Sequence, residues 1–460
     1  MQSWIPDLTT ETGPKYAAIA TALEDAIRLG RLRPGERLPP QRDLARTLAV
    51  DLTTVTRAYN AVRQLGLIEG TGRLGSFVRN HIDTGRSLKA DAGSDDTGMN
   101  MPPQPAHGLL GDAFRNGMTA LLRASGPSAL LQYQPLGGAP HDRIAGAGMF
   151  TARGLPSTEE EVIVTSGGQN ALHAIVATTL MAGDTLCTGP YVYPGLLAVA
   201  RRHGLRIAVV DGDEQGLDPD ALAAAAGGAR AVYLVPTNDN PTATTMGEAR
   251  RQAIADVARA NGLIIIEDDA YGRLPAEPLR PIALLAPEIT WHIASTSKII
   301  SPALRVAHVR APTLKDAWRL ASDAHDTAVM APPLNAALVS AWLHDGSFDR
   351  LVDAVRAEAI ARQHIVSRYL AGVDHAAHPE GYHIWLRLDN AASAAEVAAV
   401  LRPEGLSAVS GTKFAVRPDD RGAAVRVSIG GAVDQDRLRR AFRRLDAMFS
   451  HGKSRLSPMV

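Results

Sequence analysis

LIIIEDDAY, residues 263–271, is the stretch that decides the fold. Its four bulky apolar residues in a row are typical of a strand buried on both faces of a parallel sheet. Similar short runs, separated by segments of helical length, occur on both sides of it: EVIVTS, DTLCTG, RIAVVD, AVYLVP and WHIAS. The alternation predicts an α/β domain with a buried parallel sheet and helices on both faces. Ligands bind at the carboxyl ends of strands in such sheets, where the carboxylates of residues 267–269 would lie.

The run WHIAS leads directly into a lysine, Lys298, and Arg305 follows seven residues later. A lysine at the end of a buried strand is a Schiff-base candidate, because desolvation lowers its pKa and frees the amine to attack a carbonyl. The planar guanidinium of an arginine suits a phosphate group. The turn TSGGQN, residues 165–170, opens a helix after a strand and leaves backbone N–H groups free for an anion. These features predict a site for a phosphorylated carbonyl compound.

Residues 14–80 have a different, arginine-rich character. Apolar spacing predicts helices over residues 15–29, 42–48 and 52–65, the last capped by Asp51, followed by two short strands and a Gly-rich turn. Between residues 28 and 79 there are ten arginines against four acidic residues, although the whole chain has a formal net charge of zero. A basic module in a neutral chain is typical of a partner with a phosphate backbone.

The stretch LPPQRDLARTLAVDLTTVTRAYNAVRQLGLIEGTGRLGSFV, residues 38–78, resembles the GntR-type winged helix-turn-helix. The resemblance implies that this module binds double-stranded DNA and places the first side chains of its third helix on base edges. The residues implied to face DNA are Arg42, Thr53, Thr54, Thr56, Arg57 and, in the wing, Arg73. Leu52 stands where some relatives carry an arginine, so their base preference does not transfer.

The motifs NPT, EDDAY and SxSK with an arginine seven residues on, in that order, resemble fold-type I aminotransferases that depend on pyridoxal 5′-phosphate. The match runs from about Met99 to Phe449 and is nearest to the branch with α-aminoadipate and kynurenine aminotransferases. It implies that Lys298 forms the internal aldimine and that Asp268 pairs with the pyridine nitrogen. The other implied cofactor contacts are Asn240 and Tyr271 at the ring hydroxyl oxygen, and Gly168, Gln169, Ser295, Ser297 and Arg305 at the phosphate.

The resemblance implies three further roles. Tyr193, in TGPYVYPG, would stack on the cofactor ring, with Tyr191 as the alternative. Arg426, in AVRVSIGG, would bind the α-carboxylate of an amino-acid effector. Tyr133, in LQYQPLGG, would reach the phosphate from a partner subunit, which implies a homodimer.

Four segments follow from these assignments: a winged helix-turn-helix over residues 1–80, a flexible linker over 81–98, a cofactor-binding large domain over 99–344 and a smaller α+β domain over 345–460. The linker is predicted from its many Gly, Ser and Asp residues and few large apolar ones. A GntR-type module fused to an aminotransferase-like body resembles the MocR subfamily of transcription regulators. The resemblance implies a DNA-binding regulator that senses an amine, an amino acid or pyridoxal phosphate itself.

The sequence leaves two other functions open. One is a catalytically active aminotransferase that carries a DNA-binding domain, and the other is a GntR regulator whose body has lost its cofactor. The single cysteine, Cys187, excludes an internal disulfide framework. We predict a cytoplasmic protein without a metal site, because the sequence has no signal peptide, no membrane span and no metal-ligand spacing among its histidines.

Overall fold

The computed structural model describes residues 4–6, 14–28, 31–33, 35–64, 67–70, 75–79, 98–105, 108–124, 127–388, 392–417 and 424–456. The chain divides into two compact units, Met1–Ser94 and Asp95–Val460. Most of the predicted linker, and Arg73 in the predicted wing, lie outside the described residues. Within these ranges, no helix has both the length and the apolar character that crossing a bilayer requires.

The first unit is a small helical domain with a two-stranded ribbon. Its elements are α1 (Lys15–Arg28), α2 (Gln41–Thr47), α3 (Leu52–Gln64), β1 (Ile68–Gly70) and β2 (Ser76–Val78). The two strands pair antiparallel, as the predicted wing requires. Asp51 caps α3, since its Oδ1 accepts a hydrogen bond from the backbone N–H of Thr53 at 2.7 Å. The predicted winged helix-turn-helix is confirmed.

The core of this first unit forms between α1 and α3. Ile19 and Leu23 of α1 and Val55 and Tyr59 of α3 are fully buried. The hydroxyl of Tyr59 donates to the backbone carbonyl of Pro39 at 2.9 Å, so the one polar atom of that buried ring is satisfied.

The second unit is built around a seven-stranded sheet. Its strands and a nearby hairpin are β3 (Val162–Thr165), β4 (Thr185–Thr188), β5 (Arg206–Val209), β6 (Gly212–Asp213), β7 (Gly216–Leu217), β8 (Ala231–Leu234), β9 (Ile264–Asp268), β10 (Thr290–Ser295) and β11 (Ala307–Arg310). The sheet order is β3-β11-β10-β9-β8-β4-β5, and β6 pairs with β7. The accompanying helices are α4 (Leu109–Ala124), α5 (Pro127–Leu130), α6 (Pro140–Ala152), α7 (Gly168–Thr179), α8 (Pro194–Arg202), α9 (Pro219–Ala225), α10 (Glu248–Ala260), α11 (Ile282–Leu285), α12 (Leu314–Ala328) and α13 (Pro333–Asp345).

The sheet is mixed, whereas the sequence predicted a parallel one. Strand β11 runs antiparallel to both of its neighbours, β3 and β10, and the other strand pairs are parallel. The reason is the short connection 296–306 between β10 and β11, because a parallel return needs a crossover of a dozen or more residues. This connection carries Lys298 and Arg305, so the antiparallel return holds both residues at one end of the sheet.

Helices cover both faces of the sheet, as predicted. Tyr233 of β8 and Ile266 of β9 pack in one hydrophobic cluster with residues of α7 and α12. Their strand neighbours Val232 and Ile265 pack in a second cluster with residues of α9 and α10. Successive strand residues point to opposite faces, so the alternation places a helical layer on each side.

The C-terminal part of this unit carries a second, antiparallel sheet. Its strands are β12 (His375–Ala377), β13 (His383–Arg387), β14 (Ser407–Ser410) and β15 (Ala424–Ser428), in the order β12-β13-β15-β14. The helices here are α14 (Ser347–Ser367), α15 (Ala394–Leu401) and α16 (Gln435–Leu456). Helices and strands thus both occur in this part of the chain, as the sequence led us to expect for a smaller α+β domain. The strands β12 and β14 are short and half-buried, and neither contains an apolar run.

Candidate functional site

A cavity lies at the carboxyl ends of β8, β9 and β10. Its lining includes all ten residues that the sequence predicted as same-chain cofactor contacts: Gly168, Gln169, Tyr193, Asn240, Asp268, Tyr271, Ser295, Ser297, Lys298 and Arg305. These residues come from six separate segments of the chain, and the fold brings them together at one place. The lining also includes Met99, Tyr233, Val235, Ala270 and Pro302, which the sequence did not single out.

Lys298 ends a turn of 3-10 helix, Thr296–Lys298, that follows β10 directly. Burial lowers the pKa of its amine to about 8, and the nearby Arg426 guanidinium acts in the same direction against the attraction of Asp268. The Nζ atom donates a hydrogen bond to the backbone carbonyl of Asn100 at 2.6 Å. A lysine with this pKa has an appreciable neutral fraction near neutral pH and is therefore able to react with a carbonyl compound.

Asp268 is the last residue of β9 and lies inside the cavity. Burial raises the pKa of its carboxyl group to about 6, while a hydrogen bond from Tyr233 opposes that rise. The Tyr233 hydroxyl donates to Oδ2 of Asp268 at 2.8 Å. A buried carboxylate oriented in this way is suited to a positively charged N–H donor of a ligand.

The N-terminus of α7 forms an anion-binding corner of the cavity. Gly167 precedes this helix with φ of +81°, and no side chain caps the helix. Arg305 follows the 3-10 turn Pro302–Leu304 in the left-handed region and donates from Nη2 to the carbonyl of Ser166 at 2.9 Å. The buried hydroxyl of Ser297 has no hydrogen-bond partner among the described residues. Free helix N–H groups, a guanidinium and a spare hydroxyl are the donors that a phosphate monoester requires.

The other two carboxylates of EDDAY are structural and do not line the cavity. Glu267 is completely buried and accepts hydrogen bonds from the N–H groups of Ile282 and Ala283 at 2.8 and 2.9 Å, and from Nδ1 of His292 at 2.8 Å. Asp269 pairs with Arg153. Only the middle carboxylate, Asp268, is therefore available to a ligand in this cavity.

The structure separates the two tyrosines that competed for the stacking role. Tyr193 lines the cavity, and its ring lies so close to Gly195 that a Cβ atom at that glycine would overlap it. Tyr191 instead packs edge-on against Trp385, with 5.0 Å between ring centroids. Of the two, Tyr193 is the one that lines this cavity, and its stacking role stays a prediction.

Arg426 and Tyr133 are not among the residues that line the cavity. Arg426 is buried in β15, where Nη1 donates to Oδ1 of Asn240 at 3.0 Å and Nη2 donates to the carbonyl of Gly98 at 2.5 Å. Arg426 therefore adjoins the cavity through Asn240. The side chain of Tyr133 is 82% exposed and contributes nothing to the cavity of its own chain.

Asn100 is a site residue that the sequence did not indicate. Besides the backbone contact with Lys298, its side chain donates to the hydroxyl of Tyr271 at 3.0 Å and accepts from Oγ of Ser428 at 2.6 Å. It thereby connects the cavity to β15. A lone asparagine next to a linker carries no motif, whereas the missed Tyr233 sits at the end of a predicted buried strand and could have been found there.

In the first unit, the predicted DNA-facing residues lie on α2 and at the start of α3. Arg42, Thr53 and Arg57 are exposed, and Thr54 and Thr56 are partly exposed. The Thr56 hydroxyl donates to Oε1 of Gln41 at 2.9 Å, and the Arg57 guanidinium lies 4.1 Å from the ring centroid of Tyr16 on α1. Both side chains thus also hold the helices together, which the sequence did not indicate.

Comparisons with known proteins agree with this architecture. The family model for aminotransferase class I and II matches residues 106–445, and that for bacterial regulatory proteins of the gntR family matches residues 15–78. The chain is 28% identical to the uncharacterized HTH-type transcriptional regulator YdeF of Bacillus subtilis, over 93% of this chain and 92% of that protein. It is also 28% identical to the vitamin B6 salvage pathway transcriptional repressor PtsJ of Salmonella typhimurium, over 89% and 94%.

A similar solved structure is the α-aminoadipate aminotransferase LysN of Thermus thermophilus, complexed with N-(5′-phosphopyridoxyl)-L-leucine. The TM-score is 0.68 at 25% identity, with 80% of this chain and 97% of that chain covered. The family and the fold imply pyridoxal 5′-phosphate as the cofactor. The cavity fits that group, because it combines a lysine of lowered pKa, a buried carboxylate and the spare Ser297 hydroxyl at a helix N-terminus. The chain therefore belongs to the aminotransferase class I and II family, with a GntR-type DNA-binding domain fused to a fold-type I body as in the MocR-type transcription regulators.

Proposed function

We propose that this protein is a cytoplasmic, pyridoxal-phosphate-dependent transcription regulator that binds operator DNA and senses an amine, an amino acid or the cofactor itself. One observation carries the proposal: a single chain holds a DNA-binding module and a cavity in which ten residues predicted for the cofactor converge. The seven-stranded sheet supplies a rigid site, and the basic first unit supplies the readout on DNA.

When bound, pyridoxal phosphate supplies an aldehyde and a protonated ring that withdraws electrons. Asp268 would hold the proton on the ring nitrogen, and Tyr193 would cover one face of the ring. The neutral amine of Lys298 would be the nucleophile. The phosphate would be held by backbone N–H groups at Gly168 and by the side chains of Ser295, Ser297 and Arg305, with Gln169 beside them, while Asn240 and Tyr271 would contact the ring hydroxyl.

Arg426 is the proposed contact for the carboxylate of an amino-acid effector. It is fully buried in β15, and its Nη1 is already oriented by Asn240. A buried guanidinium that is held on one side presents its N–H groups in a fixed direction, which suits a planar carboxylate.

A homodimer is part of the proposal. Tyr133 and its neighbours Leu131 and Leu136 are 82%, 67% and 50% exposed, an unusual amount for three large side chains within six residues. A second copy of the chain would cover this segment, and Tyr133 would then reach the phosphate of the partner subunit. Sedimentation would give the mass of a dimer, and Tyr133→Ala would weaken cofactor binding without changing that mass.

The test of the function combines a spectrum with DNA footprinting. The purified protein with pyridoxal phosphate is expected to show an absorbance band near the visible edge that Lys298→Ala abolishes. Footprinting on the DNA upstream of its own and the neighbouring gene should show paired half-sites, and their occupancy should change with the cofactor or with candidate amino acids. A protein that protects no DNA, or whose band survives in Lys298→Ala, would contradict the proposal.

One of the proposed signals and one alternative function each have a specific observation in their favour. The similarity to PtsJ, named a vitamin B6 salvage pathway repressor, favours pyridoxal phosphate itself as the signal. The lysine, aspartate and arginine of the cavity equally favour a working aminotransferase. Footprints that respond to the cofactor alone would support the former, and fast amino-group exchange between amino acids and 2-oxo acids would support the latter.

A further inference from the structure

We propose that residues 98–101 form a strap that closes the cofactor cavity, and that an effector bearing an α-carboxylate opens it by taking Arg426 from the carbonyl of Gly98. The inference rests on the proposed function and adds its regulation. It follows from the hydrogen bonds that the strap makes with Lys298 and Arg426.

The strap's backbone carbonyls hold these two cations at the same time. The Gly98 carbonyl accepts from Nη2 of Arg426 at 2.5 Å, and the Asn100 carbonyl accepts from Nζ of Lys298 at 2.6 Å. Met99, between them, lines the cavity. The strap thus lies where the proposed ligands of Lys298 and Arg426 must bind.

The two ends of the strap are held differently. Its C-terminal end is fixed to the loop after β15, because the N–H of Gly431 donates to the carbonyls of Met101 and Pro102 at 3.1 and 3.2 Å. Gly430 packs so closely that a Cβ atom there would overlap the Met101 carbonyl oxygen. Asn100 is anchored as well, because its buried side chain bonds to Tyr271 and Ser428. Residues 100 and 101 are therefore the fixed end of the strap, and residues 98 and 99 are the part that can leave the cavity.

A carboxylate competes well for Arg426 because it is charged. The carbonyl of Gly98 is a neutral acceptor, whereas a carboxylate forms two parallel, charge-assisted hydrogen bonds with a guanidinium. Asn240 can keep its bond to Nη1 throughout. An amine without a carboxylate lacks a group that competes for Arg426, so it would leave the hydrogen bond between Arg426 and Gly98 in place.

The strap also begins where the chain arrives from the DNA-binding unit. Only residues 95–97 separate it in the sequence from the first unit, Met1–Ser94. Displacing residues 98 and 99 therefore displaces the point at which that unit is covalently attached. The effector would act on DNA binding through this attachment, because only the open strap is compatible with a carboxylate at Arg426.

Two reduced adducts of the cofactor test the strap, namely N-(5′-phosphopyridoxyl)-L-alanine and N-(5′-phosphopyridoxyl)ethylamine. They differ only in the carboxylate, and neither can react further. In the unaltered chain freed of cofactor, hydrogen exchange of the peptide 98–105 should be at least fivefold faster with the alanine adduct than with the ethylamine adduct. A peptide from α10 serves as the internal reference and should not respond.

A disulfide can lock the strap shut. A Cβ atom at Gly98 would lie 3.5 Å from Cγ2 of Val409 on β14, so Gly98→Cys with Val409→Cys places two thiols close together. Because the φ of +66° at Gly98 strains any side chain, the reduced double variant must first be shown to respond to the alanine adduct. The natural Cys187 is fully buried and does not interfere. The oxidised double variant should keep its DNA affinity but lose the response to the alanine adduct, and reduction should restore it. Each single variant, treated with the same oxidant, is the control.

The outcomes separate the strap from the function it serves. If both adducts bind and give equal hydrogen exchange of residues 98–105, the strap proposal is wrong, whereas the proposed function as a regulator is unaffected. If the oxidised double variant still responds fully to the alanine adduct, the strap is again wrong. If neither adduct binds, the cofactor site and the strap fail together. Because exchange is measured on the unaltered chain, a failure of the cysteine variant to fold does not remove the test.

Discussion

The hydroxyl of Tyr233 and the carboxylate of Asp268 form a hydrogen bond of 2.8 Å across two neighbouring parallel strands. Burial raises the pKa of Asp268 to about 6, and this bond opposes the rise because it stabilises the charged form. The bond thus helps to keep Asp268 ionised near neutral pH, which a protonated ring nitrogen requires. Tyr233 acts through Asp268 and is a positioning residue.

Tyr233→Phe should therefore shift the pH dependence of cofactor binding. Loss of the bond raises the pKa of Asp268 further above about 6, so the carboxylate is lost at a higher pH as the solution is acidified. We expect about tenfold weaker binding of pyridoxal phosphate at pH 7, since a hydrogen bond to a charged group contributes roughly 1.5–3 kcal/mol. Absorbance titrations between pH 5 and 8 measure both effects. Tyr369→Phe is the control. If the pH midpoint of cofactor binding is unchanged in Tyr233→Phe, Tyr233 does not hold Asp268 in its ionised form.

Lys298→Met should stabilise the cofactor-free protein at neutral pH. The pKa of Lys298 falls from 10.5 to about 8 on folding, so its contribution to stability is complete above pH 10.5 and is lost as the pH falls through about 8. Below that pH, the buried ammonium group lowers the free energy of unfolding by up to about 3 kcal/mol, and a methionine removes this penalty. Urea unfolding should show a gain at pH 7 that shrinks towards pH 10. The exposed Lys315→Met is the control, and a gain in Lys298→Met that is equal at both pH values would contradict the explanation.

Two adjacent glycines at the start of α7 should respond in opposite ways to a side chain. A Cβ atom at Gly167 would lie 2.8 Å from Nη2 of Arg305, and the φ of +81° disfavours any residue but glycine. Gly167→Ala should therefore displace Arg305 and weaken cofactor binding at least tenfold. At Gly168 the nearest atom to a Cβ would be the Cβ of Ser295 at 3.5 Å, an ordinary contact. Gly168→Ser should bind pyridoxal phosphate as well as the parent or better. Equal losses in both variants, measured by equilibrium dialysis, would argue against phosphate at this corner.

The sequence predicted the two folds because each depends on local patterns. Short apolar runs define β9 and β10, and the turn residues around Lys298 and Arg305 follow them directly. The antiparallel β11 was missed, because strand direction depends on the length of a connection and not on the character of the strand. Asn100 was missed for a similar reason: its contacts with Lys298, Tyr271 and Ser428 join residues far apart in the chain. The three carboxylates 267–269 look alike in sequence, and only the pleat separates Asp268 from its two structural neighbours.

Two arginines of the DNA-binding unit should differ in their effects, because both should contribute to operator affinity but only one should contribute to the stability of the unit. Arg42 is exposed on α2, whereas the Arg57 guanidinium lies over the ring of Tyr16 at 4.1 Å and so also joins α3 to α1. Each change to alanine should weaken operator binding, and each should reduce the slope of log affinity against log salt by about one if the arginine meets a phosphate. Only Arg57→Ala should also lower the melting temperature of the unit, because a cation–π contact contributes about 0.5–1 kcal/mol at an exposed site. Binding isotherms at several salt concentrations measure the operator affinity and its salt slope, and thermal unfolding measures the melting temperature. The exposed Arg319→Ala of the second unit is the control for the isotherms. If Arg42→Ala leaves both the affinity and the salt slope unchanged, α2 does not face the DNA, since an exposed arginine on a basic surface that approaches a phosphate must release a counterion.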